Sequence, residues 1–106
     1  MVWGSFIFRK GVQMDGLTEG RIVHYVMPNG QHRPAIVVKV WNPSGMSNLQ
    51  VITDGPNDLP FTPEEKEQFK NFGMSLEDVR HGHIWKTSIS FSEEPKQGTW
   101  HWIEKA

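Results

Sequence analysis

GRIVHYVMPNGQHRPAIVVKVWNPSGMSNLQVIT, residues Gly20–Thr53, decides how this chain folds. It reads as three strands in succession. Arg21–Met27 is rich in β-branched and aromatic residues, and Pro28-Asn29-Gly30 supplies a turn, since proline pre-sets φ and Asn-Gly tolerates positive φ. Ala35–Trp41 is apolar apart from Lys39, as suits a central strand covered on both faces. Asn42-Pro43-Ser44-Gly45 breaks the chain, and Asn48–Thr53 resumes it. The meander also carries polar residues unusual in a core, among them His24, Tyr25, His32, Arg33, Gln50 and Thr53.

Outside this stretch, Met1–Lys10 holds a short apolar burst, Phe6-Ile7-Phe8, that reads as an edge strand or a loosely held arm. Gly11–Gly20 reads as a loop. Thr62-Pro63-Glu64-Glu65 is a helix start, with Thr as cap, Pro in the first turn and Glu three residues after the cap. It predicts a helix over Pro63–Phe72, stopped by Gly73 and pinned to the body by Phe69 and Phe72. Ser75 and Asp78 predict a further short turn of helix before Arg80. Ile84–Phe91 alternates, with Trp85, Thr87, Ile89 and Phe91 expected on one face and Ile84, Lys86, Ser88 and Ser90 on the other. Thr99–Ile103 is expected as a last strand, Trp100 and Trp102 inward, Thr99 and His101 outward.

The whole reads as a single domain over residues 1–106. An arm and loop (1–19) precede the meander (20–54), a helical insertion (55–81) follows, and two strands close the chain (82–106). The expected fold is mainly β: a small, strongly bent sheet of about five strands, or a partly closed barrel, with one inserted helix. Closure would remove the exposed edges of a flat sheet.

Composition narrows the chemistry. Eleven basic residues stand against twelve acidic ones, a formal net charge of −1, which withholds the long-range attraction used by binders of long nucleic acid. With no cysteine, neither a disulfide nor a thiolate site can form. No apolar run approaches a membrane span, and the N-terminus lacks a signal-peptide pattern, so a cytoplasmic protein is expected. Five tryptophans exceed what so small a core readily hides. Surplus aromatics beside a sparsely apolar helix point to a homo-oligomer.

Several residues are candidates for a site. Arg33 offers a planar fork for a phosphate, against the plainer reading of a surface arginine at a strand start. Thr53 and Asp54 open a polar loop, TDGPND, that serves a ligand or simply makes turns. His24 and Tyr25 offer a base and a stacking ring, though a half-buried strand histidine is the commoner case. His81-Gly82-His83 has the spacing of a two-histidine clip that Asp54 or Asp58 would have to complete; loop histidines are the expectation there, with no metal and no cofactor. Thr99-Trp100-His101-Trp102 fills a core face with its tryptophans or lends one of them to stacking.

Gly20-Arg21-Ile22-Val23, Gly30-Gln31-His32-Arg33-Pro34-Ala35-Ile36-Val37-Val38 and Val51-Ile52-Thr53 resemble the opening half of MazF/PemK-type toxins, small barrels of the Src-homology-three sort. That resemblance implies RNA cleavage, with Arg33 and Thr53 at the cutting site. The second half, HIWKTSISFSEEPKQGTWHW, departs from that pattern. Over more of the chain, GRIVHYVMPNGQHRPAIVVKVW, NLQVITDGPND and WKTSISFSEEPKQGTWHW are similar to small proteins encoded by tailed phages and prophages, which implies a host-cell cytoplasm as the setting. Three functions follow. The first is a non-enzymatic binder of a small anionic, nucleotide-like ligand, sequestering a host immune signal. Its expected ligand contacts are Tyr25, His32, Arg33, Thr53, Asp54, His101 and Trp102. The others are a MazF-like endoribonuclease and a virion or assembly component.

Overall fold

The computed structural model describes residues 14–104; the expected N-terminal arm or edge strand at Met1–Lys10 lies outside them. Five strands form one antiparallel sheet: β1 (Ile22–Val26), β2 (His32–Val40), β3 (Ser47–Ile52), β4 (His83–Ile89) and β5 (Trp100–His101). Their order is β4-β3-β2-β1-β5. The chain between β3 and β4 leaves the sheet as a 3-10 turn (Gly55–Asp58), helix α1 (Pro63–Asn71) and helix α2 (Leu76–His81), then returns to pair β4 with β3.

The local chemistry follows the sequence closely. The turn between β1 and β2 closes with Gly30 N–H donating to the Met27 carbonyl at 2.8 Å, Gly30 lying at φ 86°. At α1 the Thr62 hydroxyl accepts from the Glu65 backbone while the Glu65 carboxylate accepts from the Thr62 backbone, a complete capping box. Ser75 caps α2 by accepting from the Asp78 N–H.

One face of the sheet is the core. The cross-strand row Val23, Ala35, Val51 and Ile84 is buried, with Phe69 of α1, Val79 of α2 and Trp100 packed into the same cluster. Lys86 lies on this side too, its ammonium donating to the Phe72 carbonyl at the end of α1 (2.6 Å). Among the described residues, the opposite face is largely uncovered. Ile22, Pro34, Ile36, Val38, Ile52 and Trp85 are exposed there, Val38 at 48% and Trp85 at 58%.

Three expectations change. The sheet does not close into a barrel by a continuous ladder. A single parallel bridge, Phe91 to Trp100, brings the chain beyond β4 against β5, and β5 is only two residues long, too short to seal an edge. The insertion holds two α-helices where the expected fold had one, the second, α2, forming at the further turn that Ser75 and Asp78 predict. Finally, β4 does not alternate throughout: Ile84 and Ile89 are both buried and Trp85 is exposed. An extra residue bulges β4 opposite Ser47–Leu49, and Ser88 stands at φ 57°. A second bulge lies opposite in β2, between Val37 and Lys39. Buried Asn48 sits between the two, its side-chain oxygen accepting from Trp41 Nε1 (2.8 Å), Thr87 Oγ1 (2.9 Å) and Ser88 N–H (2.8 Å). Such bulges add local twist and re-aim side chains, which is how a period of two along β4 is lost.

Candidate metal centre

The antiparallel register sets the site. β1 pairs with β5 so that His24 faces His101, and with β2 so that Val26 faces His32. Residues two apart on a strand share a face, so His24, His32 and His101 all stand on the face away from the core. Their rings lie edge to face, with centroids 4.7–6.1 Å apart. Just past β5 the chain brings Glu104 over them. Its carboxylate meets His24 Nδ1 at 2.6 Å, His32 Nδ1 at 2.7 Å and His101 Nε2 at 2.5 Å.

A carboxylate can only accept, so each of those three nitrogens carries the hydrogen. Burial works against ionisation of Glu104. Its own backbone N–H and the donations from His101, His24 and His32 outweigh that and bring the carboxyl down to about 2. Because this lies below the unfolded value, the stability from the cluster is full above the ordinary carboxylate range and is lost as pH falls toward 2.

His101 is only 5% exposed, and its other ring nitrogen, Nδ1, is buried without a partner. A buried polar atom left unpaired costs about 1–3 kcal/mol. Four groups, each offering one ligand atom, converge with those atoms within 4.8 Å of one another. A tetrahedron with ~2.1 Å metal–ligand bonds has edges of about 3.4 Å. The present contacts with Glu104, 2.5–2.7 Å, are shorter than that edge and the widest spread, 4.8 Å, is longer, so holding an ion needs shifts of about 1 Å in Glu104 and in the ring nitrogens. Glu104, half exposed and three residues past the end of β5, is the member least held by strand hydrogen bonds.

The cluster opens on a cleft of about 340 Å³ whose walls include His101, Glu104, Phe91, Pro95 and Trp102. Trp102 stands edge to face on Trp100 at 5.2 Å, with the Arg21 guanidinium over its ring.

The residues singled out in the sequence divide between two places. His32 and His101 belong to the cluster, and Trp102 lines the cleft beside it. Arg33, on the opposite face from His32, makes a two-pronged contact with Asp58 at 2.7 Å and 2.7 Å. Asp58 is 1% exposed and also accepts from Asp54 N–H (2.7 Å) and Asn29 Nδ2 (3.2 Å). Thr53 is buried, its hydroxyl donating to the Val79 carbonyl at 2.7 Å. Asp54 is exposed at the start of the 3-10 turn. Tyr25 is wholly buried in the core, and burial pushes its hydroxyl up to about 12. So Tyr25, Arg33, Thr53 and Asp54 do not share a cleft with His101 and Trp102. His81 and His83 are exposed at the end of α2 and the start of β4, His83 within 3.3 Å of Gln50 rather than of another histidine.

The metal-type cluster was not read from the sequence, which pointed to no metal. Its signals were His101 and Glu104, three apart, and His24 on a half-buried strand. Only the β1–β5 pairing, which sets His24 opposite His101, joins them. Compared with known proteins, the chain matches no protein family, no curated protein and no solved structure.

Proposed function

We propose that this protein binds a divalent transition-metal ion through His24, His32, His101 and Glu104 and presents it to a small anionic ligand. The observation that carries the reading is the convergence of four ligand atoms within 4.8 Å, three of them imidazole nitrogens. Imidazole suits Zn, Cu, Fe and Ni. Four protein ligands would close a tetrahedral Zn²⁺ site, the pattern of structural zinc. Here two of the four ligands form part of a cleft wall, which favours an ion of five or six ligands with positions open to the cleft. A dication, one carboxylate and three neutral imidazoles leave a net charge of +1, so the open positions attract an anion. The small anionic ligand expected from the sequence thus finds its counter-charge in the ion and not in Arg33, whose fork Asp58 already fills.

Cobalt(II) tests this. Protein dialysed against Co²⁺ should retain a single ion per chain and show the weak visible bands of a five- or six-coordinate centre. Intense tetrahedral bands would favour a closed structural site, and no retained cobalt would reduce the cluster to a hydrogen-bonded clasp for the chain end.

A MazF-like nuclease needs Arg33 and Thr53 available to RNA, and both are spent on bonds inside the protein. The homo-oligomer expected from the sequence has a surface to form on, the uncovered face bearing Ile22, Pro34, Ile36, Val38, Ile52 and Trp85. Light scattering at micromolar concentration should give a dimer mass, shifted to monomer by Val38→Lys with Trp85→Lys. A monomer mass for the unaltered chain refutes this.

A further inference from the structure

Resting on that metal reading, we infer that the cleft selects an aromatic monocarboxylate: one carboxylate on the ion, one ring along the cleft. The cleft, about 340 Å³, falls at the small end of the range of small-molecule sites, roughly 300–1,000 Å³, so the occupant is small. Among the described residues, its walls beyond the metal ligands are Met14, Phe91, Pro95 and Trp102, which are apolar or aromatic, and one further charged residue, Glu93. Phe91 and Trp102 both rest on Trp100, at 4.9 Å and 5.2 Å between ring centroids. They are thereby held as fixed walls, and planar ligands gain most from aromatic surfaces held in place.

The charges fix the rest. The ion's net +1 rewards one anionic group at the His101–Glu104 end. Glu93 adds a negative charge to the cleft, so a ligand with a second anionic group, such as a nucleoside monophosphate, is penalised there. A carboxylate with no apolar body meets the ion but leaves the aromatic walls bare. The ligand class that satisfies both ends carries one negative charge and one ring.

The experiment uses the cobalt-loaded protein, with its visible bands as the readout. Phenylacetate, acetate and adenosine monophosphate are titrated separately. Phenylacetate should perturb the bands at a concentration about tenfold to a hundredfold lower than acetate, the gain expected from burying a ring, and should also act at lower concentration than the nucleotide. Phe91→Leu keeps an apolar wall and should shrink the preference for phenylacetate over acetate. Glu93→Gln alters an exposed residue that holds no ligand atom, and should improve the nucleotide more than phenylacetate. Equal titrations for phenylacetate and acetate overturn the inference while leaving the metal centre standing. So does a nucleotide that outcompetes phenylacetate. Absence of any cobalt band overturns both.

Discussion

His101→Ala should lower the affinity for Co²⁺ by more than about a hundredfold. Loss of a mere outer partner of a metal ligand already costs about 10–100-fold, and His101 is a direct member of the cluster. It is also its least replaceable one, being 5% exposed between His24 and Glu104, so water has little room to take its place. Metal binding asks something in return. The hydrogen that Nε2 now donates to Glu104 must move to Nδ1, which is buried without an acceptor. Nδ1 lacks a partner in either tautomer, so the transfer adds little to a cost of about 1–3 kcal/mol already present in the metal-free cluster. Calorimetric titration of both proteins decides the matter, and Glu104→Gln serves as a companion because it keeps the shape and removes the charge. Equal cobalt affinity in the unaltered chain and in both variants would show that the ion, if bound, sits elsewhere.

Arg33→Ala should unfold the protein more readily without touching the metal. The buried Asp58 carboxylate takes two of its four hydrogen bonds from that one guanidinium. Burial alone would raise its pKa. The bonds from Arg33, from Asp54 N–H and from Asn29 more than offset this and hold it below its ordinary range. The stability it supplies is therefore full above that range and lost as pH falls through the depressed value. Removing one partner of a buried pair strands the other charge and costs about 3–5 kcal/mol. Arg33 is about a fifth exposed on its side chain, which lets water relieve part of that, so about 3 kcal/mol is expected, a fall in melting temperature of roughly 10–20 °C. Asp58→Asn combined with Arg33→Ala should recover part of the loss, since a neutral amide tolerates burial better than an unpaired charge. An unchanged melting temperature for Arg33→Ala would return the guanidinium to the pool of ligand-binding groups.

Much of the architecture was written locally. The Pro28-Asn29-Gly30 turn, the Thr62 cap with Glu65 and the Ser75 cap each depend on residues within four positions of one another, and each forms as its chemistry requires. What was not legible depends on partners far apart in the chain. Nothing near Trp85 announces that Asn48, 40 positions before Ser88, will hold a bulge that changes which side chains β4 buries. Arg33 looked available because its partner Asp58 sits 25 residues on, in the insertion. The cluster was hidden for the same reason: His24 and Glu104 are 80 positions apart, and neither carries a motif. The histidines became a site only once β5 lay against β1.

Two different kinds of backbone build this pocket. Three of the metal-type ligands stand on strands, fixed in place by ladder hydrogen bonds, with Glu104 just past the last of them. Phe91, Glu93 and Pro95 come from the chain between β4 and β5, which is tied to the sheet at its two ends, by the Phe91 bridge with Ser92 N–H donating to the Trp100 carbonyl (3.0 Å) and by Gly98 N–H donating to the Val26 carbonyl (2.9 Å). Surface connections accept substitutions and changes of length far more readily than the elements they join. A relative of this chain can therefore exchange the segment 93–96, between those two anchors, acquiring a wider, more basic or more polar mouth, while inheriting an unaltered inorganic centre. For an engineer, the same division marks residues 93–96 as the place to graft or randomise when a new guest is wanted.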